Sequence, residues 1–503
     1  MNELIEVRIL PTLLVLLASG GAWAQQTIDT PPVATPPGEQ IVPVADEQLQ
    51  DAAADAIEGE YAMQQPTAEE LLEFQFGRFK ELLAAGVLDE ADSVAKRVVE
   101  LAIEVSGPRS KNTAKALTNL AIVQHRQEQY DLAQQNFQSA IDIIEDNEDR
   151  LNAQLLNPLI GLGGSQLEAG RPDLATQTYG RAVHVTHVNE GPHNVEQLDL
   201  LESLAEANLR LGAVDEAKAI QDTIYALNVR HSGDDALKLI PSLMRRASWQ
   251  HRAGMIFDER ATYRRIIRII EETAGKDDLR LIEPLTRLGQ SFFYVDLSGQ
   301  QGFQSNLITT GEIYFKRAVN IAEENPEADW RLRAQTTLSL GDYYMVEGTE
   351  QKARNVYGEA WETLSTDDEQ MDFRRDALES LITLSARPLP EFAGEQSTAD
   401  PSRQADGFQR GRITMAYAVS PRGRTTGLQI IEADPAELTD FYREIQREMR
   451  RRVYRPYFVD GQPSASPEQV FTHRFYYRQS DLDEIIRQNT EEESAAEQEG
   501  GET

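Results

Sequence analysis

The residues of this chain best suited to metal chemistry are three histidines that stand close together. They are His184, His187 and His193, with Glu190 between them. A spacing of three places His184 and His187 on one face of a helix, and a nearby loop histidine could complete a metal site. The same side chains could simply face water, and the sequence reveals no residue that would orient a metal-bound imidazole. We therefore predict no metal site and no cofactor, with metal binding by the three histidines left open.

Other patterns that could support catalysis have ordinary structural explanations. The stretch Gly161–Gly164 is glycine-rich like a phosphate-binding loop, but no strand precedes it and no Lys-Ser or Lys-Thr pair follows it. Acidic pairs at 277–278 and 367–368 lie in turn-like contexts, and no serine occupies a nucleophile-elbow pattern. We therefore predict that the chain is not an enzyme.

The elements that position these residues recur at a fixed interval. Apolar residues, each followed by a small residue, stand 42 residues apart in the first half of the chain, and the register continues beyond them. The last lead position comes 52 residues after its predecessor, which implies an insertion of ten. The lead positions are Leu120, Leu162, Leu204, Arg246, Leu288 and Leu340. A fixed period of this size is typical of a solenoid, and a solenoid usually provides a binding surface.

The residues inside each period resemble tetratricopeptide repeats of the extended kind found in kinesin light chains. Small residues at Ala121, Ala133 and Ala140, with Phe137 between the last two, form the clearest copy. The resemblance implies a mainly α fold, a tetratricopeptide-type α-solenoid of about seven helical hairpins within residues 67–387. The repeats themselves would cover 67–365, and a helix at Arg374–Ser385 would cap them. Glu259 departs from the pattern because its neighbours in register are small.

Such repeats bind partners in a groove. First-helix residues that stand two before and two, five and six after each lead position tend to face the concave side. The resemblance therefore implies that these residues bind a protein or peptide, with a merely solvated surface as the alternative. They are Thr118, Ile122, His125, Arg126, Glu202, Glu206, Arg210, Met244, Ser248, His251, Arg252, Gln290, Phe293 and Tyr294.

Beyond Pro388 the pattern changes from helical to strand-like. Alternating apolar residues predict strands, and a single helix lies between the second and third of them. The strands are predicted at Gly411–Ser420, Thr425–Glu432, Tyr454–Val459 and Gln469–Tyr477, and the helix at Glu437–Arg452. We expect residues 408–478 to fold independently as a small α+β domain, with a sheet of three or four antiparallel strands and the helix on one face.

Several motifs in this stretch resemble the C-terminal domain of TonB-type proteins. The motifs are Ala418-Val419-Ser420, Arg422-Gly423-Arg424, Tyr454-Arg455-Pro456 and Asp460-Gly461-Gln462-Pro463. The resemblance implies a periplasmic module that binds an extended segment of an outer-membrane or periplasmic protein by adding it as a strand. A convincing membrane anchor and a long Pro-rich span are both missing, so we carry over the binding function rather than energy transduction.

The edge near Val470–Tyr477 is the predicted site of strand addition. Phe471, His473, Phe475 and Tyr477 alternate along it and would give one broad face beside backbone groups that can pair. The alternative is that these side chains only seal the core of the module. The module is also basic, with thirteen Arg against nine acidic residues from Arg403 to Arg478, which suits either an acidic partner or a solvated surface.

The sequence at the two ends of the chain predicts export and disorder, and a linker is predicted before the C-terminal module. Residues 1–24 resemble a signal peptide, because an apolar segment precedes Ala22-Trp23-Ala24. Residues 25–66 are predicted to be an acidic, Pro-containing tether, 388–407 a linker and 479–503 an acidic tail, with tether and tail largely disordered. No further run is long and apolar enough to span a membrane.

Composition narrows the class of partner. The net charge of −34 argues against a nucleic-acid partner, and the absence of cysteine excludes disulfides and a lipoprotein anchor. We therefore expect a non-enzymatic periplasmic scaffold in the Gram-negative cell envelope, with the repeat groove binding one protein and the C-terminal module another. The alternative is a TonB-related energy transducer or envelope transport component anchored in the inner membrane.

Overall fold

The computed structural model describes residues 66–233, 235–294, 311–387, 389–390 and 408–487. The predicted signal segment, nearly all of the tether, most of the linker and the last part of the tail lie outside these residues. The chain divides into two compact units, and their boundary in sequence falls after Gly233.

The described residues of the first unit form four antiparallel helix pairs. Each helix packs against the next one along the chain, as the predicted period requires. The pairs are α1 (Ala68–Ala84) with α2 (Leu88–Ser106), α3 (Lys111–Arg126) with α4 (Tyr130–Asn147), α5 (Leu156–Glu168) with α6 (Pro172–Glu190), and α7 (Leu198–Arg210) with α8 (Val214–Ser232).

Where the structure describes it, the repeat part of the second unit continues the same pattern with three pairs and one further helix. They are α9 (Ile240–Arg252) with α10 (Ile256–Ala274), α11 (Ile282–Gln290) with α12 (Glu312–Glu324), α13 (Trp330–Val346) with α14 (Glu350–Thr363), and then α15 (Asp368–Leu378). The predicted mainly helical repeat architecture of about seven hairpins is confirmed over the described residues. The capping helix was predicted at Arg374–Ser385, and these bounds are wrong, because the observed helix α15 spans Asp368–Leu378. Its start is fixed by Asp367, whose side chain accepts a hydrogen bond from the Gln370 amide at 2.9 Å.

Small residues beside the lead positions make room for buried tyrosines. A Cβ added to Gly163 would lie 2.8 Å from the ring of Tyr179, and one added to Gly341 would lie 2.5 Å from the ring of Tyr357. Both tyrosines are buried. These contacts join the first helix of a pair to the second, so the glycines serve packing rather than phosphate binding.

A buried amide recurs four residues after the lead positions. Gln166 accepts a hydrogen bond from Thr178 at 2.8 Å, and Gln250 accepts one from Thr262 at 2.7 Å, in each case across one helix pair. Gln124 makes the equivalent bond with Asn136. A buried polar group needs such a partner, so this register position fixes how the two helices of a pair meet.

The described residues of the C-terminal part of the second unit include three small sheets. The largest has the antiparallel order β3-β2-β7. The elements are β1 (Thr383–Ser385), β2 (Phe408–Val419), β3 (Thr425–Asp434), α16 (Thr439–Arg451), β4 (Val453–Tyr454), β5 (Tyr457–Val459), β6 (Gln462–Ser464), β7 (Gln469–Arg478) and α17 (479–487). Ile413 and Met415 of β2 pack with Ile445 and Met449 of α16 to form the core on one face of this sheet.

This C-terminal module is not separate from the repeats. Strand β1 lies within the range predicted for the solenoid, yet it pairs with β4 of the module. Phe458 of β5 stacks on Trp361 of α14, with ring centroids 5.8 Å apart. The module was predicted to fold independently, and in the structure it shares a hydrophobic core with the last helix pair.

The start of the acidic tail is ordered, in contrast to the prediction. Residues 479–487 form α17. Leu482 is buried against the core of the module, and Ile485 packs beside it. Two apolar residues three positions apart are enough to attach this helix to the module, and its acidic residues face water.

Candidate functional site

The described part of the second unit contains a cavity of about 600 Å³. Its wall is built from α9, α11, α13 and α15, which are the first helices of consecutive pairs and the helix that follows them. The apolar part of the lining includes Ile240, Met244, Ile282, Leu332, Leu338 and Phe373. The cavity therefore lies on the side formed by the first helices of the pairs.

Arg455 contributes to the cavity lining from the C-terminal module. Its side chain is 2% exposed, and its guanidinium binds both carboxylate oxygens of Asp342, at 2.9 and 2.6 Å. A third bond runs from Nη1 to the carbonyl of Ala377 at 2.9 Å. Burial opposes the charge of Arg455, but Asp342 outweighs it and raises the pKa of the guanidinium. Arg455 is therefore a fixed cation that cannot turn freely toward a ligand.

Tyr357 completes this buried network. Its hydroxyl donates to Asp342 at 2.7 Å. Burial raises the pKa of Tyr357 well above its ordinary value, and the neighbouring Asp342 carboxylate adds to the shift. The hydroxyl therefore stays protonated at neutral pH and remains a donor to Asp342.

Two charged side chains of the lining have no ionic partner among the described residues. Arg287 of α11 is half-buried and Asp376 of α15 is exposed. By contrast, Arg280 binds Asp278 at 2.8 Å and thereby lowers the pKa of that carboxyl group. Arg287 and Asp376 therefore place one charge of each sign beside the apolar wall.

The predicted groove residues of the first unit mostly join helices. Thr118 and Ile122 are buried, and the Thr118 hydroxyl donates to the carbonyl of Ala114 at 2.8 Å. His125 lies 3.0 Å from the hydroxyl of Ser165 in the next pair. Positions two before and two and five after the lead residue therefore serve contacts within and between pairs.

The remaining groove residues of the first unit are charged. Arg126, Glu202 and Glu206 are half-buried. Arg210 is exposed and binds both Glu206, at 3.1 Å, and Glu168, at 3.2 Å. Glu168 and Arg210 each stand six residues after a lead position, so this ion pair links consecutive helix pairs.

In the second unit, Met244 alone of the predicted groove residues lines the cavity. Ser248 and Arg252 are exposed, and Gln290 is half-buried. Phe293 stacks on the ring of Tyr343 with centroids 5.5 Å apart, which makes it a packing residue. The side chain of Tyr294 is not among those that the structure describes.

His251, another predicted groove residue, explains how the unusual Glu259 is accommodated. Glu259 is buried, and its carboxylate lies 3.2 Å from Nδ1 of His251. The next residue, Arg260, is also buried, stacks on Phe292 and donates to the carbonyl of Ser291 at 2.9 Å. Polar contacts here replace the small-residue contact found in the other pairs.

The cavity meets the predicted groove at the position two before each lead residue and otherwise lies toward the start of each first helix. Its residues precede the lead positions, by two in Met244 and Thr286 and by six in Ile240 and Ile282. Each of these two sets shows the 42-residue spacing. The offset of two before the lead position was therefore predicted correctly, and the offset of six before it was not among those taken from the resemblance.

The predicted edge residues belong to the core of the module. His473, Phe475 and Tyr477 are buried, and Phe471 is half-buried. Burial lowers the pKa of His473. These side chains therefore seal the core of the module, which was the alternative to a binding face. Only the backbone and the outward side chains of β7 are left at the edge.

The three histidines do not assemble into a site. His187 Nε2 lies 2.8 Å from Oε1 of Gln197, while His184 and His193 are exposed. No group of three or more potential metal ligands comes together in the described ranges. None of the helices described is long and apolar enough to cross a membrane.

Consecutive antiparallel helix pairs with glycine–tyrosine contacts define an α-helical repeat protein. Residues 82–146 match the family model of the tetratricopeptide repeat. The other helix pairs that the structure describes repeat the architecture of this matched segment. No curated protein matches the chain.

Three solved structures match this chain at low sequence identity. A putative kinesin light chain from Podosopora anserina with TPR-like repeats is 15% identical, with a TM-score of 0.38, over 42% of this chain and 99% of that one. The C-terminal part of a TPR repeat-containing protein from Cytophaga hutchinsonii is 13% identical, with a TM-score of 0.37, over 60% and 98%. A Rap protein complexed with competence and sporulation factor is 15% identical, with a TM-score of 0.33, over 60% and 79%.

Proposed function

We propose that the protein is a non-enzymatic scaffold whose cavity on α9, α11, α13 and α15 binds an extended segment of a partner protein. The observation that carries this proposal is the cavity itself, about 600 Å³ in volume and walled by consecutive first helices. Ligand sites in proteins are typically concave, largely apolar and about 300–1,000 Å³ in volume.

The lining favours a peptide with both apolar and charged side chains. Apolar side chains of the partner would be removed from water against Met244, Leu338 and Phe373. Arg287 and Asp376 offer a charge of each sign, so they would fix the direction of the segment. Arg455 is already satisfied by Asp342 and would support the wall rather than bind the partner.

We propose that the C-terminal module binds a second partner by strand addition, as its resemblance to TonB-type domains implies. Support comes from the sheet order β3-β2-β7, in which no further strand pairs with β7 among the described residues. Such an edge offers unpaired backbone groups to an extended segment. The module departs from an autonomous binding domain because Arg455 fastens it to the repeats.

We propose further that the protein is exported to the periplasm. The support is the apolar segment followed by Ala22-Trp23-Ala24, which lies outside the described residues. An outer-membrane or periplasmic protein would then be the partner class for both sites.

Site-specific photo-crosslinking in native cells tests the cavity proposal. A photoreactive amino acid replaces Gln335, which is exposed and lines the cavity, or Gln351, which is exposed on α14 outside it. We expect position 335 to capture one defined partner segment, mapped by mass spectrometry, and Arg287→Glu to abolish that capture. Equal capture from positions 335 and 351 would contradict the proposal.

A further inference from the structure

The outward face of the β3-β2-β7 sheet carries a row of like charges. Arg412 of β2 and Arg474 of β7 are direct neighbours across the two strands, and both are exposed. Like charges at directly opposite positions repel each other and destabilise a sheet. Arg412 is compensated on its other side by Glu432 of β3, at 2.5 Å.

Arg474 has no such compensation. Among the residues that the structure describes, it has neither a salt bridge nor a side-chain hydrogen bond, and it lies on the strand that ends the sheet. A strand added beside β7 would place one of its side chains next to Arg474 on the outward face, because side chains two residues apart share a face.

Two further outward positions on β7 differ in character from Arg474. The hydroxyl of Thr472 lies 3.1 Å from that of Thr414 on β2, so this position is polar and already paired. Val470 neighbours Ala416 and is 65% exposed, which leaves a large apolar side chain beside a small one at the edge. An apolar neighbour from an added strand would remove Val470 from water.

We propose that the β7 edge selects its partner by side-chain pattern: an Asp or Glu opposite Arg474 and an apolar, β-branched residue opposite Val470, four residues apart. This inference rests on strand addition at β7, as proposed above. The acidic residue would give Arg474 an opposite charge and continue the row from Glu432 and Arg412. The apolar residue would cover Val470, and the residue between them, opposite Thr472, would be small and polar.

The test uses the full chain, because the module shares its core with the repeats. Two synthetic peptides of about ten residues, a typical upper length for a strand, are rich in Thr and carry Val four residues from one charged position. That position holds Glu in one peptide and Lys in the other. Fluorescence anisotropy at low salt, where surface charges are least screened, gives both affinities, and amide exchange reports protection of β7.

We expect the Glu peptide to bind about fivefold more tightly than the Lys peptide, as opposite-charge and like-charge cross-strand pairs differ. Arg474→Glu should reverse this order, and Arg474→Gln should remove the difference. Arg443→Glu is the matched control, because Arg443 is exposed on α16, away from the edge, and bonded to Asp440. It should leave both affinities unchanged.

Two outcomes distinguish failure of the side-chain pattern from failure of strand addition itself. If both peptides protect β7 with equal affinity in every variant, strand addition stands and the selection by Arg474 is overturned. If neither peptide binds or protects β7 amides, strand addition itself fails, and the inference fails with it.

Discussion

The guanidinium of Arg455 binds the carboxylate of Asp342 through two hydrogen bonds, of 2.9 and 2.6 Å, although 113 residues separate them in sequence. Tyr357 and the carbonyl of Ala377 satisfy the remaining polar groups around the pair. The pair joins the C-terminal module to α13, and Arg455 also lines the cavity. The shape of the proposed binding site therefore depends on the docking of the module.

Replacing Arg455 should be strongly destabilising. Arg455→Met leaves Asp342 buried without its cation, and breaking a buried pair in this way typically costs about 3–5 kcal/mol of unfolding free energy. Urea denaturation followed by tryptophan fluorescence measures the loss. Arg422→Met is the control, because its pair with Glu350 is long, at 3.8 Å, and exposed, so we expect less than about 1 kcal/mol. Similar losses in both variants would show that the buried pair has no special role.

The contact between Gly341 and Tyr357 predicts opposite effects for two glycine substitutions in one helix pair. Gly341→Ala places a Cβ 2.5 Å from the Tyr357 ring, so we expect a loss of about 1–3 kcal/mol from overpacking. Gly358→Ala, in α14, has open space around the new Cβ and should gain up to about 1 kcal/mol from helix propensity. Thermal denaturation of the two variants compares them, and a stabilised Gly341→Ala protein would refute the packing account.

Glu312 should make stability depend on pH in the acid range. Hydrogen bonds from Tyr344 and Lys316 lower its pKa from 4.5 to about 2. A lowered pKa contributes stability that is fully present above pH 4.5 and is lost as the pH falls through about 2. Glu312→Gln should therefore flatten the decline of the melting temperature over this window, whereas Glu347→Gln, exposed at the end of α13, should retain it. Identical pH profiles for wild type and Glu312→Gln would contradict this role.

The proposed export predicts a defined mature terminus. Cleavage after Ala24 would leave Gln25 as the first residue, because Ala22-Trp23-Ala24 has the small-x-small pattern of a processing site. N-terminal sequencing of protein purified from the native cell envelope is the measurement. A membrane-bound chain that retains Met1 would instead support the anchored alternative.

The repeat register and the main strands could be predicted from sequence because both rest on local periodicity. Lead positions such as Leu120 and Leu162 set the helix pairs, and the alternation in Gly411–Ser420 located β2. The helix at the start of the tail was not predicted, because the acidic composition of the tail outweighed the short apolar spacing of Leu482 and Ile485.

The candidate site could be predicted only in part. Its location on first helices followed from the repeats, but the lining residues depend on how far each helix turns before it packs, and an assumed offset does not fix that. The Arg455–Asp342 pair depends on a contact between distant parts of the chain, and no local pattern reports such a contact. The motif Tyr454-Arg455-Pro456 singles out Arg455 in the sequence, but only the structure shows that Asp342 is its partner.

The most direct test of the central claim is a binding measurement with a cavity-filling variant. Gln335→Trp places a large ring in the cavity from an exposed position, and Gln351→Trp makes the same change on α14 outside it. Isothermal titration uses a synthetic peptide of the segment captured at position 335. We predict that Gln335→Trp weakens binding at least about tenfold, or about 1.4 kcal/mol, while Gln351→Trp binds like wild type. Unchanged affinity in a folded Gln335→Trp protein would show that the partner binds elsewhere.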